Sequence, residues 1–162
     1  MFNIFKREKE LIINSPLNGK IVGLNEVPDK TFTSNIIGDG CAIIPEAGSI
    51  YSPVDGEVEI FKTNHLLIFE PKKGLFVVLH FGVGTSLLGG NGFERVIDTE
   101  KTKKVNKGVE LVKYDLDYIE KNAKSIITPF IVSNEKVESV EVLVENNKEV
   151  KVGEPLLKVI LK

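Results

Sequence analysis

At 162 residues, the chain has the length of one ordinary domain with room for a substantial core. Its formal net charge of −2 excludes a protein that wraps nucleic acid, which needs a strong basic excess. The lone Cys41 forbids an internal disulfide and most structural zinc sites, and with only His65 and His80 the chain cannot build a histidine-rich metal centre.

The first ten residues mix Phe2, Ile4 and Phe5 with Lys6, Arg7 and Lys9 and contain no signal-peptide h-region. Residues 1–14 read as a flexible tail before a single domain spanning 15–162. No apolar run reaches the length of about 18 residues that a membrane span needs. The expected compartment is the cytoplasm, where Cys41 stays reduced. Ala occurs only at positions 42, 47 and 123, while Val and Ile abound, which favours strands over helices.

In chain order, apolar runs predict strands at Ile21–Leu24, Cys41–Ile44, Val58–Phe61, Leu66–Phe69, Leu75–Phe81, Ile126–Val132, Val137–Val144 and Leu156–Leu161. A helix is legible after Asp115, a suitable cap, with Leu116, Ile119 and Ala123 at i, i+3 and i+7. Two internal repeats stand out. Ser15-Pro16-Leu17-Asn18-Gly19 resembles Ser52-Pro53-Val54-Asp55-Gly56, and Val105-Asn106-Lys107-Gly108-Val109 resembles Val150-Lys151-Val152-Gly153-Glu154. Each carries turn chemistry between apolar positions. The expected fold is all-β: an antiparallel β-sandwich or barrel with a duplicated motif and one or two short helices.

Glu70-Pro71-Lys72-Lys73-Gly74-Leu75 reads as a hairpin turn. Pairing Pro71 with Gly74 across a two-residue tip places Phe69 opposite Phe76, Leu67 opposite Val78 and His65 opposite His80. Directly opposed Cβ atoms lie about 4.5–5.5 Å apart. Two facing imidazoles suit a phosphoryl carrier and its hydrogen-bond donor, a metal site completed by a further ligand, or a purely structural pair. Glycines follow His80 at Gly82 and Gly84, where backbone amides can approach an anion, and Thr63 and Asn64 flank His65.

At these residues the chain resembles the glucose-specific IIA family of the bacterial phosphoenolpyruvate-dependent sugar phosphotransferase system. The resemblance runs from about Ser15 to Ile160, through Ser15-Pro16-Leu17-Asn18-Gly19, Val27-Pro28-Asp29, Phe32, Ile36-Ile37-Gly38-Asp39-Gly40 and Pro53-Val54-Asp55-Gly56. It continues with Thr63-Asn64-His65, His80-Phe81-Gly82, Gly90-Asn91-Gly92-Phe93, Thr128-Pro129 and Val152-Gly153-Glu154. It implies a β-sandwich of duplicated design acting as a phosphotransferase component with a phosphohistidine intermediate and no cofactor or metal. By the resemblance, His80 is the phosphoacceptor, His65 the companion that stabilises the phosphoryl group, and Thr63 a supporting hydrogen-bond partner. Phe32, Ile36, Ile37, Phe61 and Val78 match an apolar docking face. The implied donor is the phosphohistidine of HPr. The implied acceptor is a Cys on the IIB domain of a membrane sugar permease, met transiently at the inner face of the membrane. The chain departs from the family pattern at Gly84, usually acidic, at Lys30 and Thr31, usually apolar, and at Val78, often Phe.

Two rival enzymes or carriers lack their residues. A metallopeptidase on a related duplicated β-fold needs His-x-His, and a biotinyl or lipoyl carrier needs its displayed Lys in Met-Lys-Met or Asp-Lys-Ala; neither motif is present. The remaining alternative is a regulatory module that binds protein targets through the same apolar face, with or without phosphoryl transfer.

Overall fold

The structure, a computed structural model, describes residues 9–33, 37–98 and 102–162. The strands run β1 (Glu10–Asn14), β2 (Gly19–Val22), β3 (Gly38–Pro45), β4 (Gly48–Tyr51), β5 (Gly56–Ile60), β6 (Leu66–Lys72) and β7 (Leu75–His80). They continue as β8 (Phe93–Arg95), β9 (Thr102–Val105), β10 (Glu110–Tyr114), β11 (Thr128–Ser133), β12 (Val137–Val142), β13 (Glu149–Val150) and β14 (Pro155–Leu161). Two short helices accompany them: α1 (Lys30–Thr33) and α2 (Leu116–Asn122). The predicted cap holds, since the Asp115 carboxylate accepts from the Tyr118 N–H and satisfies one otherwise orphaned donor at the start of α2.

All strand pairs are antiparallel. One eight-stranded sheet has the order β13-β2-β3-β11-β7-β6-β5-β9, and two three-stranded sheets have the orders β1-β14-β12 and β4-β10-β8. Together they form a β-sandwich around one main core. Fully buried Ile13, Ile50, Phe69, Leu79, Phe81, Leu111 and Phe130 are drawn from all three sheets or the loops between them. Alternation does the sorting: in β7, Leu75, Val77 and Leu79 face the core while Phe76 is exposed and Val78 and His80 are half-buried on the other face.

The internal duplication is physical. Ser15 donates its hydroxyl to the Leu17 carbonyl and Ser52 donates to the Val54 carbonyl, both at 2.7 Å and both buried. Each serine also anchors its own copy of the second repeat. Ser15 exchanges backbone hydrogen bonds with Gly153 and Glu154, and Ser52 does so with Gly108 and Val109. Asn18 and Asp55 then accept from the amides of Val152 and Lys107 at 2.8 and 2.7 Å. The two turns are bonded to each other as well, Tyr51 N–H to the Pro16 carbonyl and Asn14 N–H to the Pro53 carbonyl.

Three expectations change. The tail does not extend to residue 14, because Glu10–Asn14 form β1 against β14. Strands β4, β8, β9, β10 and β13 carry no strong apolar run and are not legible in the sequence; β9, Thr102-Lys103-Lys104-Val105, lies at a sheet edge with its first three residues polar and exposed and Val105 buried. The β6–β7 register is also one residue off. Leu66, not His65, lies opposite His80, with a shift between Phe69 and Lys72. Pro71 has no N–H to give the ladder, and the Glu70 carboxylate reaches across to accept from the Gly74 N–H at 2.8 Å.

Because both serine hydroxyls satisfy buried carbonyls, Ser15→Ala and Ser52→Ala are each expected to lower unfolding free energy by about 1–3 kcal/mol in urea titrations. An unchanged midpoint in either variant would show that the turns do not depend on the serine.

Candidate functional site

His80 ends β7, which lies between β11 and β6 inside the large sheet, so the strand that carries it is held on both sides. Its Nδ1 lies 2.7 Å from the Gly82 carbonyl oxygen. A carbonyl only accepts, so Nδ1 carries the proton and Nε2 is left with a lone pair. Gly82 is suited to this by its backbone: φ is +72°, and a Cβ there would lie 2.6 Å from the Ser125 carbonyl oxygen. The Gly82 N–H in turn donates to Thr128 Oγ1 at 3.1 Å, and that hydroxyl donates to the Ile126 carbonyl at 2.9 Å. A chain of hydrogen bonds thus ties the imidazole to β11.

His65 sits in the loop between β5 and β6, directly after Asn64, whose φ is +61°. Although the register opposes Leu66 to His80, the two imidazoles meet, with ring centroids 4.8 Å apart and nearly perpendicular planes. His65 precedes the first residue of β6, so the strict two-face alternation of the pleat does not govern its side chain. Its carbonyl accepts from the Phe81 N–H at 2.7 Å, which holds the loop against the end of β7. Thr63 Oγ1 lies 2.6 Å from His65 Nδ1. Phe32, on α1, covers the other side of His80 at 5.2 Å between centroids.

The chain as a whole is similar to known proteins. The family described as "phosphoenolpyruvate-dependent sugar phosphotransferase system, EIIA 1" matches residues 11–138. The chain belongs to that EIIA family. It is 38% identical over 141 residues to the glucose-specific EIIA component of Borreliella burgdorferi, covering 86% of this chain and 74% of that protein. It is 40% identical over 156 residues to the glucose-specific EIICBA component of Staphylococcus saprophyticus, spanning 96% of this chain but 22% of that longer protein. The solved glucose permease IIA of Mycoplasma capricolum superposes with a TM-score of 0.83 at 34% identity, over 93% of this chain and 96% of that one. As an EIIA component, the chain has a phosphocarrier role in a sugar phosphotransferase system. Among the described residues, no helix is long and apolar enough to cross a membrane.

Of the residues that the sequence singles out in this EIIA, the structure brings Thr63, His65, His80 and Phe32 into one contact cluster. Val78 lies two residues before His80 on the same face, half-buried between Ile68 and Ile131. Phe61 is 39% exposed in the His65 loop, and Ile37 is 37% exposed before β3. Phe32 is buried, 8% exposed, so its contribution is to the setting of His80. Ile36 lies outside the described residues. Sequence reasoning assigned no role to Asp29, whose charge acts on His80, or to the Gly82 carbonyl. Both belong to motifs that carry the family resemblance, but only the fold sets the Gly82 carbonyl against the ring and brings the Asp29 charge to bear on it.

Burial drives both imidazoles toward the neutral form. The His65 value falls to about 4 through desolvation, with the neighbouring His80 adding to the effect. His80 is also lowered by burial, opposed by its bond to Gly82 and by Asp29. The Asp29 carboxyl is held below its usual range, chiefly by hydrogen bonds from Thr31. Protonating His65 is thus harder in the folded than in the unfolded chain. Its contribution to stability is complete above the unfolded value of 6.5 and declines as pH falls toward about 4. The expected NMR titration has His65 neutral throughout pH 5–7, with about one decade of margin at the lower end and about three at the upper; a midpoint near 6.5 would contradict a buried, Thr63-bonded ring.

Proposed function

We propose that this EIIA accepts a phosphoryl group on Nε2 of His80 from the phosphohistidine of HPr and passes it to a Cys of a sugar permease IIB domain. The observation that carries this reading is the His80 Nδ1–H bond to the Gly82 carbonyl, which leaves Nε2 as the nucleophilic nitrogen. In the accepting step, the Nε2 lone pair forms an N–P bond while the donor's N–P bond breaks. The bonding pair of electrons returns to the donor imidazole. In the delivering step, an S–P bond forms to the Cys thiolate of IIB and the electron pair returns to Nε2. The proton stays on His80 Nδ1, donated to the Gly82 carbonyl, in both steps, so His80 is a neutral imidazole both when it attacks and when it departs. Phosphoryl transfer through a loose transition state asks mainly for positioning and charge stabilisation. His65 supplies the latter. With Nδ1 accepting from the Thr63 hydroxyl, its Nε2 bears a proton available to a phosphoryl oxygen.

Phe61, Ile37 and Val78 support an apolar docking face shared by both partners. Phosphorylation adds about −1.5 to −2 charges there, which distinguishes the loaded carrier from the empty one. The IIB assignment draws support from relatives in which an EIIA segment is named together with B and C components. The glucose-specific names of several relatives favour a hexose system.

The direct test is incubation with phosphoenolpyruvate, enzyme I and HPr, followed by intact mass. A single acid-labile, alkali-stable phosphate is expected, absent in His80→Ala. His65→Ala is expected to accept phosphate but to pass it on ~100-fold more slowly. Full labelling of His80→Ala would refute the assignment. Because the neutral ring is the nucleophile and burial lowers its pKa from 6.5, the acceptance rate should be flat above pH 6.5 and fall only at lower pH. A rate that halves between pH 8 and pH 7 would contradict it.

A further inference from the structure

Arg95 is the last residue of β8, opposite Val112 of β10, and its half-buried side chain reaches the loop between β5 and β6. Nε donates to the Asn64 side-chain oxygen at 3.0 Å. Nη2 donates to the carbonyls of Ile60 and Phe61 at 3.0 and 2.9 Å. Residues 60, 61 and 64 bracket Thr63 from both sides. Within the loop, the Asn64 N–H closes onto the same Phe61 carbonyl at 2.7 Å, and Asn64 takes the left-handed φ of +61°. Asn tolerates that conformation without preferring it, so something must hold it there. The residue that follows is His65, and the backbone angles at Asn64 set the direction in which it leaves the turn. A planar guanidinium presents several donors in a fixed fork, which suits two carbonyls and one amide oxygen at once. Lysine, with one compact ammonium on a flexible stem, does not reproduce that geometry.

We propose that Arg95 is the positioning residue for His65, clamping the Ile60–Asn64 loop so that the His65 ring is presented to His80 with its Nδ1 on Thr63. Arg95 acts through the loop and not on the phosphoryl group. The kinetic consequence rests on the phosphocarrier reading, whereas the orientation of His65 does not.

The test combines both. In the unphosphorylated wild-type protein, 15N spectra of His65 are expected to show one tautomer. In Arg95→Lys, with folding verified by circular dichroism, the two ring nitrogens are expected to move toward the averaged shifts of a free imidazole. Asn64→Gly serves as the second variant, since Gly keeps the left-handed backbone while removing the acceptor; a smaller change in the same direction is expected, and it decides the matter if Arg95→Lys does not fold. Onward transfer to IIB is expected to fall about tenfold in Arg95→Lys, with acceptance on His80 reduced far less. Placed in a His65→Ala background, Arg95→Lys should cost nothing more. Unchanged His65 signals in the folded variants, or a full tenfold loss persisting without His65, would overturn the proposal. If the wild-type protein carries no phosphate at all, the transfer reading fails, and the His65 spectra still decide what Arg95 does.

Discussion

The crossed serine turns are the constraint on which the rest of the sandwich depends. Ser15 and Ser52 have fully or almost fully buried side chains, and each closes its own turn with the same hydroxyl-to-carbonyl bond. Each then receives the return of a distant segment, and the two turns bond to one another. Buried backbone donors and acceptors must find partners, and here they come from within each copy and, for Tyr51 to Pro16 and Asn14 to Pro53, from the other copy. The glycines that follow begin β2 and β5 where a Cβ would strike backbone: 2.4 Å from the Ile44 carbonyl oxygen at Gly19, and 2.6 Å from that of Glu70 at Gly56. The recurrence in sequence is thus the recurrence of one packing problem solved twice.

The histidine site is not duplicated. It lies at the far end of β5, β6 and β7 from the Ser52 turn, and its chemistry rests on backbone carbonyls more than on charged groups. The Gly82 carbonyl fixes the tautomer of His80, Thr128 fixes Gly82, and the His65 carbonyl fixes Phe81. The neutral imidazoles, His65 buried and His80 half-buried, and the apolar rim of Phe61 and Val78 are consistent with the mild net charge of −2. A carrier that meets two partners in turn gains from a small face that changes charge on loading, with no need for a strong field over its whole surface.

The sequence revealed the architecture wherever burial wrote a pattern. Leu75-Phe76-Val77-Val78-Leu79, the Asp115 cap and the Ser-Pro turns all match their structure. The edge strand β9 left no such trace, because Thr102, Lys103 and Lys104 are polar and exposed and a single buried residue, Val105, makes no pattern. His65 and His80 are neighbours, as the hairpin predicts, but in a different register. Pro71 lacks an N–H and cannot serve as a full ladder partner, and the shift moves His80 opposite Leu66. The imidazoles still meet because His65 stands in a turn behind a left-handed Asn64, a conformation that Thr63-Asn64-His65 permits but does not announce. Arg95 was passed over for a similar reason: its partners are mostly backbone carbonyls, about which side-chain identity says nothing.

The duplicated motif has unequal wiring, and this bears on how the chain folds. The copy around Ser52 is built from one continuous stretch, from β4 at Gly48 to β10 at Tyr114. The copy around Ser15 is split: β2 pairs with the nearby β3, but β1 has its strand partner in β14 and β2 has its other neighbour in β13, both near residues 149–161. Closing the split copy carries the larger loop entropy, and contacts of high sequence separation form slowly. During synthesis, the continuous copy, and with it the loop of His65 and the strand of His80, is complete while the split copy still waits for its second half. The β1 strand spends that interval without its β14 partner, with Leu11 and Ile13 as open to solvent or to another chain as Ile12 remains in the finished fold.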